Sequence, residues 1–160
     1  MQEMGEVYSA YARLVFQYLM SLSGDADLAE ELTQETFYQA IRSADRFRGE
    51  SKVSTWLCAI AKNQWMTYKK KNRENTDTYT QYHSLESAEE ASIRQWEMAA
   101  LMKMMHELSE PYREVVYLRL LGDLSFADIG DIMGKTENWA RVTFYRGKER
   151  LRREWGKNEE

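Results

Sequence analysis

A helical repeat of apolar residues, interrupted by one long polar segment, constrains the fold of this chain more than any other feature. Apolar side chains recur three or four residues apart before residue 72 and again from residue 96, which is the spacing of one helix face. Residues 73–95 lose this repeat and are rich in Asn, Thr, Ser, Gln and Glu, as linkers are. The pattern predicts an all-α protein with two small helical modules, 1–72 and 96–160, joined by a flexible linker.

Cysteine and the apolar runs limit the class of protein. The single cysteine, Cys58, excludes an internal disulfide, and no group of Cys and His has the spacing of a zinc site. The start of the chain has no signal segment, and no apolar run approaches the roughly 20 residues of a membrane span. These features predict a reduced, soluble cytoplasmic protein without a metal or cofactor.

The distribution of charge is more informative than the net charge of −4. Residues 41–73 carry 9 basic and 2 acidic groups, and residues 136–160 carry 7 and 5. The segments 1–40 and 74–110 are each acidic, at −6. Two basic segments in acidic surroundings indicate that part of the chain binds a polyanion. They also suggest that, in the free protein, the acidic segment 74–110 covers the basic helix before it.

The second predicted helix carries an acidic stripe. Asp25 is its expected N-cap, and the helix should end near Ser43. Its inward residues are expected to be Leu28, Leu32, Phe37, Ala40 and Ile41. Glu31, Gln34 and Glu35 fall on another face with Tyr38. By itself, such a stripe is more often a solvated helix face than a binding site.

A third helix, after a loop around Gly49, combines lysines with aromatic residues. Asn63, Met66 and Lys70 share one face, with Lys62 beside them. Bases of single-stranded nucleic acid stack on aromatic rings, and their phosphates bind ammonium groups. The aromatic residues Trp56, Trp65 and Tyr68 could equally belong to a hydrophobic core. The residues alone leave both interpretations open.

The last fifty residues have the pattern of a helix-turn-helix. Ser125 and Asp128 are spaced as a capping box, Gly130 allows a close helix crossing, and Gly134 suits a left-handed turn. Thr136 can cap a second helix, which in such units lies in the major groove of DNA. The candidates for base contacts are Asn138, Arg141, Val142 and Tyr145, and those nearer phosphates include Arg146 and Lys148. Two helices of an ordinary bundle are the alternative.

Three blocks of sequence resemble one family. The blocks are GDADLAEELTQETFYQAI, FRGESKVSTWLCAIAKNQ and LSEPYREVVYLRLLGDLSFADIGDIMGKTENWARVTFYRGKERL. In this order they are similar to regions 2 and 4 of a sigma-70 family transcription initiation factor of the extracytoplasmic-function (ECF) type. The resemblance implies a chain that binds core RNA polymerase and directs it to the −10 and −35 promoter elements with strand opening. It implies no catalytic activity.

The resemblance assigns roles to particular residues. It places Glu31, Gln34 and Glu35 on the clamp helices of the polymerase largest subunit. It places the helix from Thr136 on the −35 element, and the second helix-forming block with its preceding loop on the −10 element. The residues expected at the −10 element are Arg48, Ser51, Lys62, Asn63, Met66 and Lys70. The implied partners are core polymerase, promoter DNA and an anti-sigma factor, commonly a membrane-anchored one.

Linker length agrees with this assignment. Elements one and a half duplex turns apart are separated by roughly 50 Å, and about 23 extended residues reach roughly 75 Å. The alternative function is a stand-alone helix-turn-helix regulator, which would need neither the acidic stripe nor the basic, aromatic helix. One departure from the family is Gly147, where alanine is usual; it is expected to weaken its helix by about 0.5–1 kcal/mol.

Overall fold

The computed structural model describes residues 4–47, 49, 52–72, 100–101 and 103–158. The first module contains helices α1 (Met4–Ser23), α2 (Ala26–Arg42) and α3 (Val53–Lys71), with a short 3-10 turn at Ala44–Arg46. In the second module, residues 103–107 are helical, and α4 (Tyr112–Leu120), α5 (Phe126–Met133) and α6 (Glu137–Asn158) follow. The described part of the chain contains no strand, which confirms the all-α prediction. The predicted linker lies outside the described residues.

The boundary between α1 and α2 follows from two adjacent residues. Gly24 has a φ of 69°, a left-handed conformation that glycine adopts at little cost. The carboxylate of Asp25 then accepts hydrogen bonds from the backbone N–H groups of Asp27 and Leu28, at 3.0 and 3.2 Å. These bonds satisfy N–H groups that the first turn of a helix leaves without a partner. The predicted N-cap is confirmed.

The core of the first module lies between its three helices. Its fully buried residues include Val15, Leu19, Ala29, Leu57 and Ala61. The expected inward position of Ile41 was wrong, because its side chain is 57% exposed. Ala40 is fully buried, and the next residue of a helix points about 100° away from it.

The second module has a buried face of α6 at its centre. Ala140, Phe144, Gly147 and Leu151, at a 4-3-4 spacing, are all buried, as their positions on one helix face predict. A Cβ atom at Gly147 would lie 2.6 Å from Cγ2 of Val116 and 3.3 Å from Cβ of Tyr112. Helix α6 therefore approaches α4 at a distance that only glycine permits. We expect this contact to outweigh the helix propensity that alanine would add.

The two modules pack directly against each other. Helix α1 contacts α4, and α3 contacts α5. The rings of Tyr18 and Tyr117 stack with centroids 5.9 Å apart, and the Tyr117 hydroxyl donates to the carbonyl of Leu14 at 3.2 Å. At the other end of the interface, the hydroxyl of Thr55 donates to the carboxylate of Asp128 at 3.1 Å. The apolar repeat did not predict this docking.

The close approach at Gly147 yields a stability prediction. We expect Gly147→Ala to destabilise the chain by about 1–3 kcal/mol, because the added methyl group must displace the fully buried, β-branched Val116. Gly5 in α1 is the matched control, since a Cβ atom there meets nothing within 4 Å. Gly5→Ala should be neutral or stabilising by at most about 1 kcal/mol. Urea unfolding followed by circular dichroism measures both, and an increase in stability for Gly147→Ala would contradict the packing argument.

Candidate polymerase and nucleic-acid interfaces

The acidic stripe lies on the open face of α2. Glu31, Gln34 and Glu35 are all exposed, while Thr33 and Thr36 on the opposite side are buried and donate to backbone carbonyls of their own helix. The structure therefore brings the three predicted polymerase-binding residues together on one accessible surface.

Two large side chains extend this stripe. Tyr38 is 53% exposed, and Ile41, which was expected to point inward, is 57% exposed. Both follow Gln34 and Glu35 at helical spacing. Exposed large apolar groups beside a polar stripe are typical of a protein-binding surface. The sequence signal for Ile41 was ambiguous, since its neighbour Ala40 satisfies the same apolar repeat.

The exposed face of α3 carries three of the predicted −10 residues. Asn63, Met66 and Lys70 are exposed, Met66 at 56%. Beside them Trp65 stacks on Tyr68 with centroids 5.9 Å apart, and Nζ of Lys69 lies 5.7 Å from the Trp65 ring. Both rings are partly buried, so they pack against the core and still border the open face. Arg48 and Ser51 lie outside the described residues.

Lys62 occupies a different position from the other −10 candidates. Its Nζ atom lies 2.8 Å from each carboxylate oxygen of Glu114, in the second module. The Lys62 side chain is only 16% exposed and that of Glu114 is 3% exposed. Helix α3 thus directs Lys62 into the contact between the modules, whereas the sequence placed it beside the DNA-binding face.

The buried Glu114 carboxylate influences its neighbours. The Tyr18 hydroxyl donates to it at 2.5 Å. Burial, with the Glu114 charge as a smaller cause, raises the pKa of the Tyr18 hydroxyl well above its ordinary value. The same two causes raise the pKa of the Cys58 thiol to about 12. Both groups are therefore uncharged at neutral pH and add no second negative charge beside Glu114.

The helix-turn-helix has the predicted turn. The Ser125 hydroxyl accepts from the backbone N–H of Asp128 at 3.1 Å, and Gly134 adopts a left-handed φ of 67°. A Cβ atom at Gly130 would lie 2.8 Å from the Thr136 carbonyl oxygen, so glycine is required where the two helices cross. The hydroxyl of Thr136 caps α6 by accepting from the N–H of Trp139 at 3.0 Å.

The second helix of this unit, α6, presents every predicted −35 residue to solvent. The exposed side chains are Asn138, Arg141, Val142, Tyr145, Arg146 and Lys148. Arg141 donates to Glu137 at 3.1 Å, and its guanidinium carbon lies 5.5 Å from the ring centre of Phe126 in α5. Phe126 also has Arg119 over its ring at 4.2 Å. Sequence analysis missed Phe126, because an aromatic residue at the start of an apolar helix reads as core.

Comparisons with known proteins match both modules. The family model of Sigma-70 region 2 matches residues 7–75, and that of Sigma-70 region 4 matches residues 98–151. The chain belongs to the sigma-70 family. It is of the ECF type, being 33% identical over 153 residues to the ECF RNA polymerase sigma factor SigM of Bacillus subtilis, with 92% of this chain and 91% of SigM covered. Sigma factors of this family are promoter-specific transcription initiation factors.

Other relatives agree with this assignment. The ECF sigma factor BldN of Streptomyces coelicolor is 30% identical, with 93% of this chain and 59% of BldN covered. The fold is similar to that of the sigma factor RpoE, solved with the anti-sigma factor NepR from Bartonella quintana, at a TM-score of 0.74 and 22% identity, covering 93% of this chain and 94% of RpoE. It is also similar to CnrH, solved with a domain of CnrY, at a TM-score of 0.67 and 16% identity, covering 96% and 87%.

Two kinds of feature are absent from the described residues of this sigma factor. None of their helices combines the length and the apolar character of a membrane span. In the same residues, no group of three or more His, Cys, Asp or Glu side chains is arranged to hold a metal ion.

The environment of Cys58 predicts its reactivity. Because burial holds the pKa of this thiol at about 12, we expect the folded sigma factor to react with a disulfide reagent at pH 8 at least about a hundredfold more slowly than the unfolded chain, since the thiolate is the reactive form. Absorbance of the released thiol measures both rates. Cys58→Ala provides the blank, and rapid labelling of the folded chain would contradict the burial of this residue.

Proposed function

We propose that this sigma factor binds core RNA polymerase through region 2, reads the −35 element through region 4 and holds opened −10 DNA on α3. In this proposal region 2 comprises residues 1–72, the linker residues 73–95 and region 4 residues 96–160. The chain supplies positioning and recognition only, and the polymerase supplies catalysis. It acts in the cytoplasm, where polymerase and promoter DNA are found.

The arrangement of α6 carries the −35 part of the proposal. One face of this helix is buried by Ala140, Phe144 and Leu151, and the other exposes basic and aromatic side chains together with Glu137 and Glu149. Its N-terminal turns begin the second helix of the helix-turn-helix, whose glycines are required by geometry. The N-terminal residues of such a helix contact base edges, and residues further along contact phosphates.

The separation of acidic and basic surfaces supports the polymerase and −10 parts. Region 2 exposes Glu31, Gln34 and Glu35 on α2 and exposes Asn63, Met66 and Lys70 on α3. DNA repels the first surface and attracts the second, so the two surfaces suit different partners. A stand-alone helix-turn-helix regulator would need neither surface.

We further propose an anti-sigma factor as the regulating partner. The proteins RpoE and CnrH, which share this fold, were solved with NepR and with the cytosolic domain of CnrY. The family resemblance makes a membrane-anchored anti-sigma factor the expected form.

Run-off transcription from a promoter library tests the function as a whole. Core polymerase is incubated with the library with and without this chain, and the transcripts are sequenced. We expect the chain to select a set of promoters that share −10 and −35 sequences. Unchanged initiation on every promoter would contradict the proposal.

The polymerase surface has its own test. We expect the double variant Gln34→Ala, Glu35→Arg to lose co-purification with core polymerase, because both residues lie on the exposed stripe and outside the core. The variant should keep its helical content and melting temperature. Glu6→Arg, an exposed acidic residue of α1, is a control for the change of charge and should still bind. A folded double variant that binds polymerase as strongly as the parent would refute this interface.

The two ends of α6 should respond differently to mutation. Arg141→Ala is expected to weaken promoter binding by about 1–3 kcal/mol through the loss of contact with one −35 base pair. It should also relax the base preference at that position, because a guanidinium can make a paired contact with guanine. Arg152 lies eleven residues further along the helix, about 16 Å at 1.5 Å per residue. Arg152→Ala should weaken all promoters alike and reduce the salt dependence by about one phosphate contact.

Polymerase holoenzyme binding to single-base −35 variants, at several salt concentrations, separates these effects. An equal loss on every variant for Arg141→Ala, or a changed base preference for Arg152→Ala, would show that α6 is oriented differently in the groove.

A further inference from the structure

A buried ion pair joins the two regions, and its cation is a residue that the family resemblance assigns to the −10 element. Lys62 of region 2 places its ammonium group 2.8 Å from both oxygens of Glu114 in region 4. Lysine is a flexible point charge that donates equally well to a carboxylate and to a phosphate. In this arrangement the Lys62 ammonium group is engaged by the Glu114 carboxylate and is not free to bind a phosphate.

The described hydrogen-bond donors to the Glu114 carboxylate come from region 2. Its side chain is 3% exposed, and it accepts from the Tyr18 hydroxyl of α1 at 2.5 Å and from Lys62 of α3. A buried carboxylate is tolerated only where such donors satisfy it. The carboxylate therefore fits region 4 only while α4 is docked on region 2.

Further contacts hold α4 and α5 in the docked position. The Tyr117 hydroxyl donates to the Leu14 carbonyl at 3.2 Å, and the Arg113 guanidinium donates to the Ser21 carbonyl at 3.3 Å. Beyond α4, the Thr55 hydroxyl donates to Asp128 at 3.1 Å. The ion pair thus lies inside an interface that is fixed along its length, and Lys62 cannot leave Glu114 without loosening it.

We propose that Lys62 alternates between two anions, the Glu114 carboxylate when the regions are docked and a phosphate of the promoter strand when they separate. This inference rests on the proposed role of α3 at the −10 element. Docking of region 4 then competes with DNA for region 2. Asn63, Met66 and Lys70 stay exposed in the docked state, so the strand can meet α3 first and displace Glu114 afterwards.

The test uses the full chain and a fluorescent single-stranded oligonucleotide carrying the −10 sequence selected in the run-off library. Glu114→Gln keeps the shape of the side chain and removes its charge. We expect it to bind the oligonucleotide about tenfold more tightly than the parent, since loss of one member of a buried pair shifts the docking equilibrium towards the open form. Its radius of gyration from small-angle X-ray scattering should increase.

Asp131→Asn is the matched control. Asp131 is an exposed acidic residue of region 4, so its substitution removes the same charge without touching the interface. Its affinity for the oligonucleotide should stay within about twofold of the parent, as surface charges contribute little. Adding Lys62→Ala to Glu114→Gln should reverse the gain in affinity.

The outcomes distinguish the inference from the function on which it rests. If neither the parent nor any variant binds the oligonucleotide, the −10 role proposed for α3 is wrong. If the parent binds and folded Glu114→Gln binds no more tightly than Asp131→Asn, or if Lys62→Ala leaves the gain intact, the exchange at Lys62 is wrong.

A second variant covers the case in which Glu114→Gln fails to fold. Tyr117→Phe keeps the ring that stacks on Tyr18 and removes the hydrogen bond to Leu14. It leaves every charge in place. It should raise the affinity for the oligonucleotide by about twofold to tenfold, the scale of one neutral hydrogen bond, and it should also raise the radius of gyration. A folded Tyr117→Phe that is more open but binds no more tightly would overturn the competition.

Discussion

The Glu114 carboxylate has to be satisfied inside the protein, and the arrangement of three helices depends on this requirement. Helix α4 provides this carboxylate, which accepts a hydrogen bond from the Tyr18 hydroxyl of α1 and is paired with Lys62 of α3. A buried charge without partners is far more costly than the same charge in water. Docking of region 4 on region 2 therefore depends on polar contacts as well as on apolar surface. Because apolar contacts alone are non-directional, these bonds also determine how α4 is oriented.

Within each region, close backbone contacts position the binding surfaces. Gly147 lets α6 lie against Val116 of α4, and Gly130 lets the helix-turn-helix cross near the Thr136 carbonyl. Because the inner face of α6 is buried in this way, the basic and aromatic residues on its other face point to solvent. The exposure of the proposed DNA-binding face is thus a consequence of how the opposite face packs.

The proposed binding surfaces differ in whether they are accessible while the two regions are docked. The acidic stripe of α2 and the outer face of α6 are accessible, so the surfaces proposed for polymerase and duplex DNA are already formed. Lys62 and Tyr18 lie in the contact between the regions. In the proposed exchange, Lys62 is the described −10 candidate on α3 whose accessibility depends on the separation of the two regions.

Much of this structure could be predicted from the sequence alone, because it depends on residues that are close together in the chain. The helical repeat, the Asp25 cap, the turn at Gly134 and the two faces of α6 depend on contacts within a few residues of the chain, and such contacts leave a pattern. The exposed polymerase and −35 candidates follow from the same patterns. Ile41 was misplaced because two adjacent apolar residues both fit the repeat, and only the packing of Ala40 decides between them.

Tertiary structure alone decided what lies between the regions. The residues Lys62 and Glu114 are 52 positions apart, and Tyr18 and Glu114 are 96 apart. A lysine on a basic helix and a glutamate on an apolar helix each have an ordinary local explanation, as a solvated charge. Their pairing depends on the relative placement of α1, α3 and α4, which no local spacing encodes. The same reason applies to Gly147, whose sequence context suggests a weakened helix and whose partner, Val116, is 31 residues away.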